Sequence, residues 1–139
     1  MKNKLLKGVR VIELANFIAA ATAGRFLADL GADVIKIESP KGDPIRYTAP
    51  SEGRPLDMHE NTTWDLENAN KRCISLNMKT PEGKEAFFKL LDTADIFITN
   101  WRVHALERAG VDYDSLKGRY PKLVYAMCTG YGEYGPDKD

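Results

Sequence analysis

Few residues of specialised chemistry occur in this sequence. It holds two cysteines and two histidines in 139 residues. No Cys or His stands near another at metal-ligand spacing, which removes the common zinc arrangements. Cys73 and Cys128 lie far apart in apolar, strand-like runs and are expected to be buried, reduced thiols. Neither His59 nor His104 sits beside a Ser or Cys with a nucleophile signature, so both are expected to be plain surface histidines. There is no phosphate-cradling G-x-x-x-x-G-K sequence and no paired-acid cluster. Neither sign of charge is in excess: Lys plus Arg and Asp plus Glu each number 20. Nonspecific nucleic-acid binding, which needs a basic surplus, therefore has no support. No apolar run approaches the ~18 residues of a membrane span. Lys2, Lys4, Lys7 and Arg10 ahead of an apolar run imitate a secretory leader, but Glu13 and Asn16 interrupt it. A cytoplasmic, reducing location fits this composition.

What is present suits one soluble domain by length and composition. Gly8 to Leu14 alternates and is β-branched, so it reads as a strand. A helix is expected from Ala20 to Leu30, with Phe26, Leu27 and Leu30 on its apolar face and Gly31 as its stop. Asp33 to Glu38 is a second strand, completing a β-α-β unit with a right-handed crossover. Residues 39–67 hold several Pro and Gly with little periodicity and read as one long loop. Lys71 to Asn77 is a third strand. Thr80 then caps a helix with Pro81 in its first turn and Ala86, Phe87, Leu90 and Leu91 on its buried face. Asp95 to Thr99 is a fourth strand, followed by short helices near residues 103–109 and 115–119, and by a fifth strand at Leu123 to Cys128. The alternation implies an α/β fold with a Rossmann-like, doubly wound, mainly parallel sheet.

Two segments invite a dinucleotide reading. Gly130 to Gly135 fits G-x-G-x-x-G, but Pro136 follows where a helix must open. The first strand-to-helix turn, Ala15 to Ala19, has no glycine at all. Glu38 ends the second strand, where such proteins hold ribose hydroxyls, and without the glycine loop it reads as a surface carboxylate. A more productive pattern is basic. Lys71, Arg72 and Lys79 flank the third strand, and Asn100, Trp101, Arg102 and Arg108 follow the fourth. Segments leaving a sheet at strand ends are expected to converge on one crevice, where Arg and Lys would hold a phosphate-bearing ligand.

Four ordered blocks of the sequence resemble family III CoA-transferases, the CaiB–BaiF family. They are Leu6 to Leu14 running on to Leu30 through Glu38; Asn70 to Gly83; Ala94 to Asn100 with Gly110 to Tyr113; and Pro121 to Tyr125 with Thr129 to Pro136. The resemblance implies that residues 1–139 are the N-terminal part of a CoA-binding Rossmann-like domain. It implies that CoA lies across Ile18 and Ala19, across Leu76, Asn77, Met78 and Lys79, across Asn100, Trp101 and Arg102, and near Arg108. It also implies a reaction between an acyl-CoA and a small carboxylic acid through an aspartyl-CoA intermediate, with CoA as substrate and no permanently bound cofactor. The family's aspartate belongs to a Gly-Asp motif beyond residue 139, so Asp137 and Asp139 are not taken for it. Full-length members are homodimers with a second domain. Ser39, Asn77 and Val103-His104 depart from residues common in the family, namely Arg, Asp and Pro-Gly. The wording of Ala15 to Ala21 and Trp64 to Asn68 is closest to members serving 2-hydroxy acids. An acyl-CoA racemase of the same family, a nicotinamide dinucleotide-binding domain and a noncatalytic CoA-binding fragment are the alternatives.

Overall fold

The computed structural model describes residues 4–57 and 60–136. Its one sheet contains β1 (Arg10–Leu14), β2 (Asp33–Glu38), β3 (Arg72–Ser75), β4 (Ile96–Thr99) and β5 (Val124–Met127). Every pairing is parallel and the order is β3-β2-β1-β4-β5. Parallel neighbours need crossovers, and helices supply them. α1 (Ala19–Asp29) joins β1 to β2, α2 (Thr62–Asn68) precedes β3, α3 (Pro81–Leu91) precedes β4, and α4 (Val103–Ala109) and α5 (Tyr113–Lys117) precede β5.

Alternation along the strands sorts the core into two layers. Ile12, Leu14, Ile35, Ile37 and Phe97 meet Phe87 and Leu91 of α3, Leu106 of α4 and Leu116 of α5. Val11, Val34 and Ile98 meet Ala20 and Ala28 of α1. The sheet is thus doubly wound. Phe97 stacks edge-to-face on Phe87 at 5.7 Å and on Tyr125 at 5.3 Å, tying α3 to the β5 side. Burying each such ring contributes roughly 1.5–3 kcal/mol. Thr80 caps α3 as expected, its hydroxyl accepting from the Gly83 N–H at 3.1 Å. At Gly83 an added Cβ would fall 2.0 Å from the Asn77 carbonyl, so the glycine lets α3 start hard against the end of β3.

Several expectations change. The apolar residues Phe26 and Leu30 of the first helix region are exposed, and Ala20, Ala21, Gly24 and Ala28 form the buried face of α1. α1 lies so close to the sheet that only small residues fit under it. Residues 39–67 are not one loop: they contain 3-10 turns at Pro44–Tyr47 and Ala49–Glu52, and then α2. Asn61 caps α2 by accepting from the Trp64 N–H at 3.0 Å. Both cysteines are exposed rather than buried. Cys73 lies on β3, an edge strand whose four residues are all exposed, and Cys128 follows β5 at the other edge. β3 and β5 are the two end strands of the sheet, each beside one neighbouring strand among the described residues, and their side chains are more exposed than those of the central strands.

Candidate ligand site at the strand ends

The chain leaves β1 toward β2 on one side and β4 toward β5 on the other, so the crevice between the C-terminal ends of β1 and β4 is the topological switch point. Asn16 and Asn100 close it by a reciprocal clasp. The Asn16 N–H donates to Asn100 Oδ1 at 2.9 Å, and Asn100 Nδ2 donates to the Asn16 carbonyl at 2.7 Å. Thr99 secures the base of this turn, donating to the Leu14 carbonyl at 2.8 Å and accepting from the Trp101 N–H at 3.2 Å. Trp101 rests on the core and is half-buried. A cavity of about 480 Å³ opens here, lined by Asn16, Asn100, Trp101, Arg102, His104 and Arg108. Its walls carry two guanidiniums and no carboxylate, a setting for an anionic ligand. Asn100, Trp101, Arg102 and Arg108 are therefore together, as expected. His104 is exposed, with Nδ1 3.1 Å from Glu107. Ile18 and Ala19 are exposed at the start of α1, whose first turn has neither an acidic residue nor a side-chain cap.

The segment after β3 is separate. Met78 is buried and Leu76 half-buried against the core. Asn77 Oδ1 accepts from the Lys79 N–H at 3.1 Å, and Lys79 is exposed. Strands β2 and β1 stand between β3 and β4, which places the two segments about 14 Å apart at ordinary strand spacing. The single convergent crevice expected from the charges is thus two stations along one sheet edge. Lys71 and Arg72 join neither. The Lys71 ammonium is buried, and Arg72 lies at the N-terminal end of its strand, paired to Asp33 at 2.7 Å. A second cleft of about 390 Å³ lies beside β3, walled by Glu38, Ser39 to Gly42, Arg46, Tyr47 and Cys73 to Ser75. Cys73 is an exposed residue, yet its thiol sits in this wall. There desolvation, helped by Glu38, pushes its pKa up to about 11, which favours the neutral thiol over the thiolate.

Glu38 is not the surface carboxylate read from sequence. It is buried, and its oxygens are fully engaged. Oε2 accepts from the Asp43 N–H and Arg46 Nε, both at 2.9 Å, and Oε1 accepts from Arg46 Nη2 at 2.9 Å and Trp64 Nε1 at 3.0 Å. The Arg46 guanidinium also stacks on Trp64 at 3.8 Å. Such a carboxylate has no capacity left for a ribose diol. The sequence reading also missed a buried ionic cluster on the α1 face. Lys36 reaches Glu13 at 3.2 Å and Asp43 at 2.9 Å, and Lys71 reaches Glu13 at 2.8 Å, all with fully buried side chains. The outer oxygens of Glu13 and Asp43 lack well-angled hydrogen bonds and are held by these ammonium charges. Burial raises the Glu13 pKa against the pull of both lysines. Burial also works against the Lys36 charge, but Glu13 and Asp43 outweigh it and hold its pKa above the ordinary lysine value. A signal was available: opposite charges stand in the middle of two apolar strands, and Glu13 pairs with Lys36 in the register.

The Gly130 to Gly135 stretch forms exposed turns with no helix opening among the described residues. His59, Asp137 and Asp139 lie outside the described residues. No group of metal ligands and no helix long and apolar enough to cross a membrane occurs among the described residues.

A doubly wound parallel sheet with a basic cavity at its switch point defines an α/β domain whose crevice lies at the strand ends. The sequence model of CoA-transferase family III matches residues 6–139, and the chain belongs to that family. It is 66% identical over 135 residues to a cinnamoyl-CoA:phenyllactate CoA-transferase of Clostridium sporogenes, covering 97% of this chain and 33% of that protein. It is 50% identical to an (R)-2-hydroxy-4-methylpentanoate CoA-transferase of Clostridioides difficile, covering 97% of this chain and 34% of the relative. A crystal structure of a CAIB/BAIF family protein from Brucella suis matches with a TM-score of 0.87 and 40% identity, over 97% of this chain and 36% of that one. The chain spans about a third of the length of the curated relatives it matches.

Proposed function

We propose that this chain supplies the CoA-binding part of a CoA-transferase that moves CoA from an acyl-CoA thioester to a small carboxylic acid, with a 2-hydroxy acid as acceptor. The observation that carries it is the cavity at the switch point, with Arg102 and Arg108 in its wall, in a chain of CoA-transferase family III. A compact phosphate would occupy one station only. An extended, phosphate-bearing molecule such as CoA suits both, with Lys79 near one end and Asn100 to Arg108 near the other. Ile18 and Ala19 line the path at the start of α1. The two relatives' names, phenyllactate and 2-hydroxy-4-methylpentanoate, point to a 2-hydroxy acid and to transfer rather than racemisation.

In this reading an aspartate carboxylate attacks the thioester carbonyl and expels CoA as thiolate, leaving a mixed anhydride. The thiolate then attacks the aspartyl carbonyl, releasing the donor acid and leaving aspartyl-CoA. The acceptor carboxylate repeats the sequence in reverse order and departs as its CoA thioester. Because the cavity wall carries no carboxylate, the nucleophile belongs outside its lining residues. A homodimer and a second domain in the parent protein belong to the same proposal.

The dinucleotide alternative is disfavoured by geometry. A Rossmann glycine loop holds pyrophosphate on free backbone N–H groups, whereas the N–H groups of Asn16 and Phe17 here are taken by Asn100 and Asp43. The test is calorimetric titration of the chain with CoA and, separately, NAD. CoA is expected to bind more tightly, and its affinity to fall as salt screens the phosphate contacts. Tighter binding of NAD would sink the assignment.

A further inference from the structure

The turn between β1 and α1 contains no glycine, yet it is sharply formed. Phe17 stands at φ 57°, in the left-handed region that a bulky residue rarely adopts. Nothing in the wording of Ala15 to Ile18 explains why. The support comes from outside the turn. Lys36 donates to the Ala15 carbonyl at 2.9 Å. Asn100 holds both the N–H and the carbonyl of Asn16. Asp43 Oδ1 accepts from the Phe17 N–H at 3.1 Å and from the Ile45 N–H at 3.0 Å. Its other oxygen is 2.9 Å from the Lys36 ammonium. Phe17 and Ile18 remain exposed at the rim of the switch point.

We infer that Asp43 and Lys36 are positioning residues: they lock the Ala15 to Ile18 turn in its ligand-receiving shape without touching the ligand. This inference rests on the CoA reading. The logic is preorganisation. A turn of ordinary residues samples many conformations, and ordering it during binding would weaken affinity. The buried ion pair holds the turn before the ligand arrives. Asp43 also joins this turn to the segment after β2. Its own N–H donates to Glu38, and the 3-10 turn at Pro44–Tyr47 starts from its side chain. One carboxylate thus couples the rim of the switch point to the second cleft beside β3.

The test has two parts. In the unmodified chain, amide hydrogen exchange at Phe17 is expected to be at least about tenfold slower than in an unprotected peptide, despite the exposed side chain. Exchange of Phe17 at the unprotected rate overturns the inference outright. The second part compares two charge-balanced double variants, each leaving the Glu13–Lys71 pair intact. Asp43→Asn with Lys36→Met keeps an acceptor for the Phe17 N–H, and Asp43→Ala with Lys36→Met removes it. With thermal melts confirming that each is folded, the Ala variant is expected to lose Phe17 protection and to bind CoA at least about fivefold more weakly than the Asn variant. Equal CoA affinity in the two folded doubles contradicts the positioning role. If the unmodified chain fails to bind CoA while Phe17 is protected, the functional reading falls and the clamp stands as architecture alone.

Discussion

At Gly24 the helix α1 passes directly over a buried charge. A Cβ there would lie 1.9 Å from Glu13 Oε2, the oxygen that Lys71 holds. Gly24→Ala must therefore displace the carboxylate or the helix, and about 1–3 kcal/mol of destabilisation is expected, as for other overpacked sites. Gly118→Ala is the control. Nothing lies within 4 Å of its Cβ position and its φ is negative, so it is expected to be neutral or to stabilise by up to about 1 kcal/mol. Denaturant melts of the two variants check this, and equal effects would contradict the packing account. Glu38 gives a prediction with a sign. Burial opposes its charge, but the Arg46 hydrogen bonds and charge outweigh that and hold its pKa below the usual 4.5. A carboxyl with a depressed folded pKa stabilises above its unfolded pKa, and loses this as pH falls through the folded value. Glu13 has a raised pKa and works in the opposite direction, favouring the fold most at low pH. The stability gap between the unmodified chain and Glu38→Gln is expected to be widest near neutral pH and to close below the ordinary 4.5. Urea unfolding at about pH 7 and about pH 3.5 measures it, and a constant gap refutes the linkage.

At the scale of elements, the strands and most helices were legible because their apolar periods are strong. Val-Ile-x-Leu and Val-Ile-x-Ile runs mark β1 and β2, and Thr80-Pro81 marks the start of α3. The seven-residue α2 was hidden because its buried residues are Glu67 and Asn68, which hydropathy assigns to the surface. The ionic cluster was signalled only by opposite charges inside two apolar strands and was missed for the same reason: Glu13 and Lys36 occupy positions where alternation reads polar as outward, but α1 covers that face. The division of the basic residues depended on strand order, which pairwise wording does not reveal. That division makes a prediction. Arg108→Ala and Lys79→Ala act on different stations, α4 and the end of β3, so each is expected to weaken CoA binding by about tenfold to a hundredfold, near-additively. Affinity unchanged in the double variant would leave both as solvated surface.

At the scale of the whole molecule, the fold presents one sheet edge with two stations about 14 Å apart. The residues between them belong to the turn after β1 and the segment after β2, and Asp43 links both. The chain belongs to CoA-transferase family III, and in the proposed reading a long ligand lies across both stations. The central claim is that one molecule engages both stations at once. Amide chemical-shift mapping during titration tests it most directly, with CoA as ligand and inorganic pyrophosphate as the short control. CoA is expected to shift the amides of residues 76–79 and of residues 100–108 together, along one saturation curve, while pyrophosphate perturbs one group only. CoA shifts confined to a single group, or two groups saturating at different concentrations, would contradict the account.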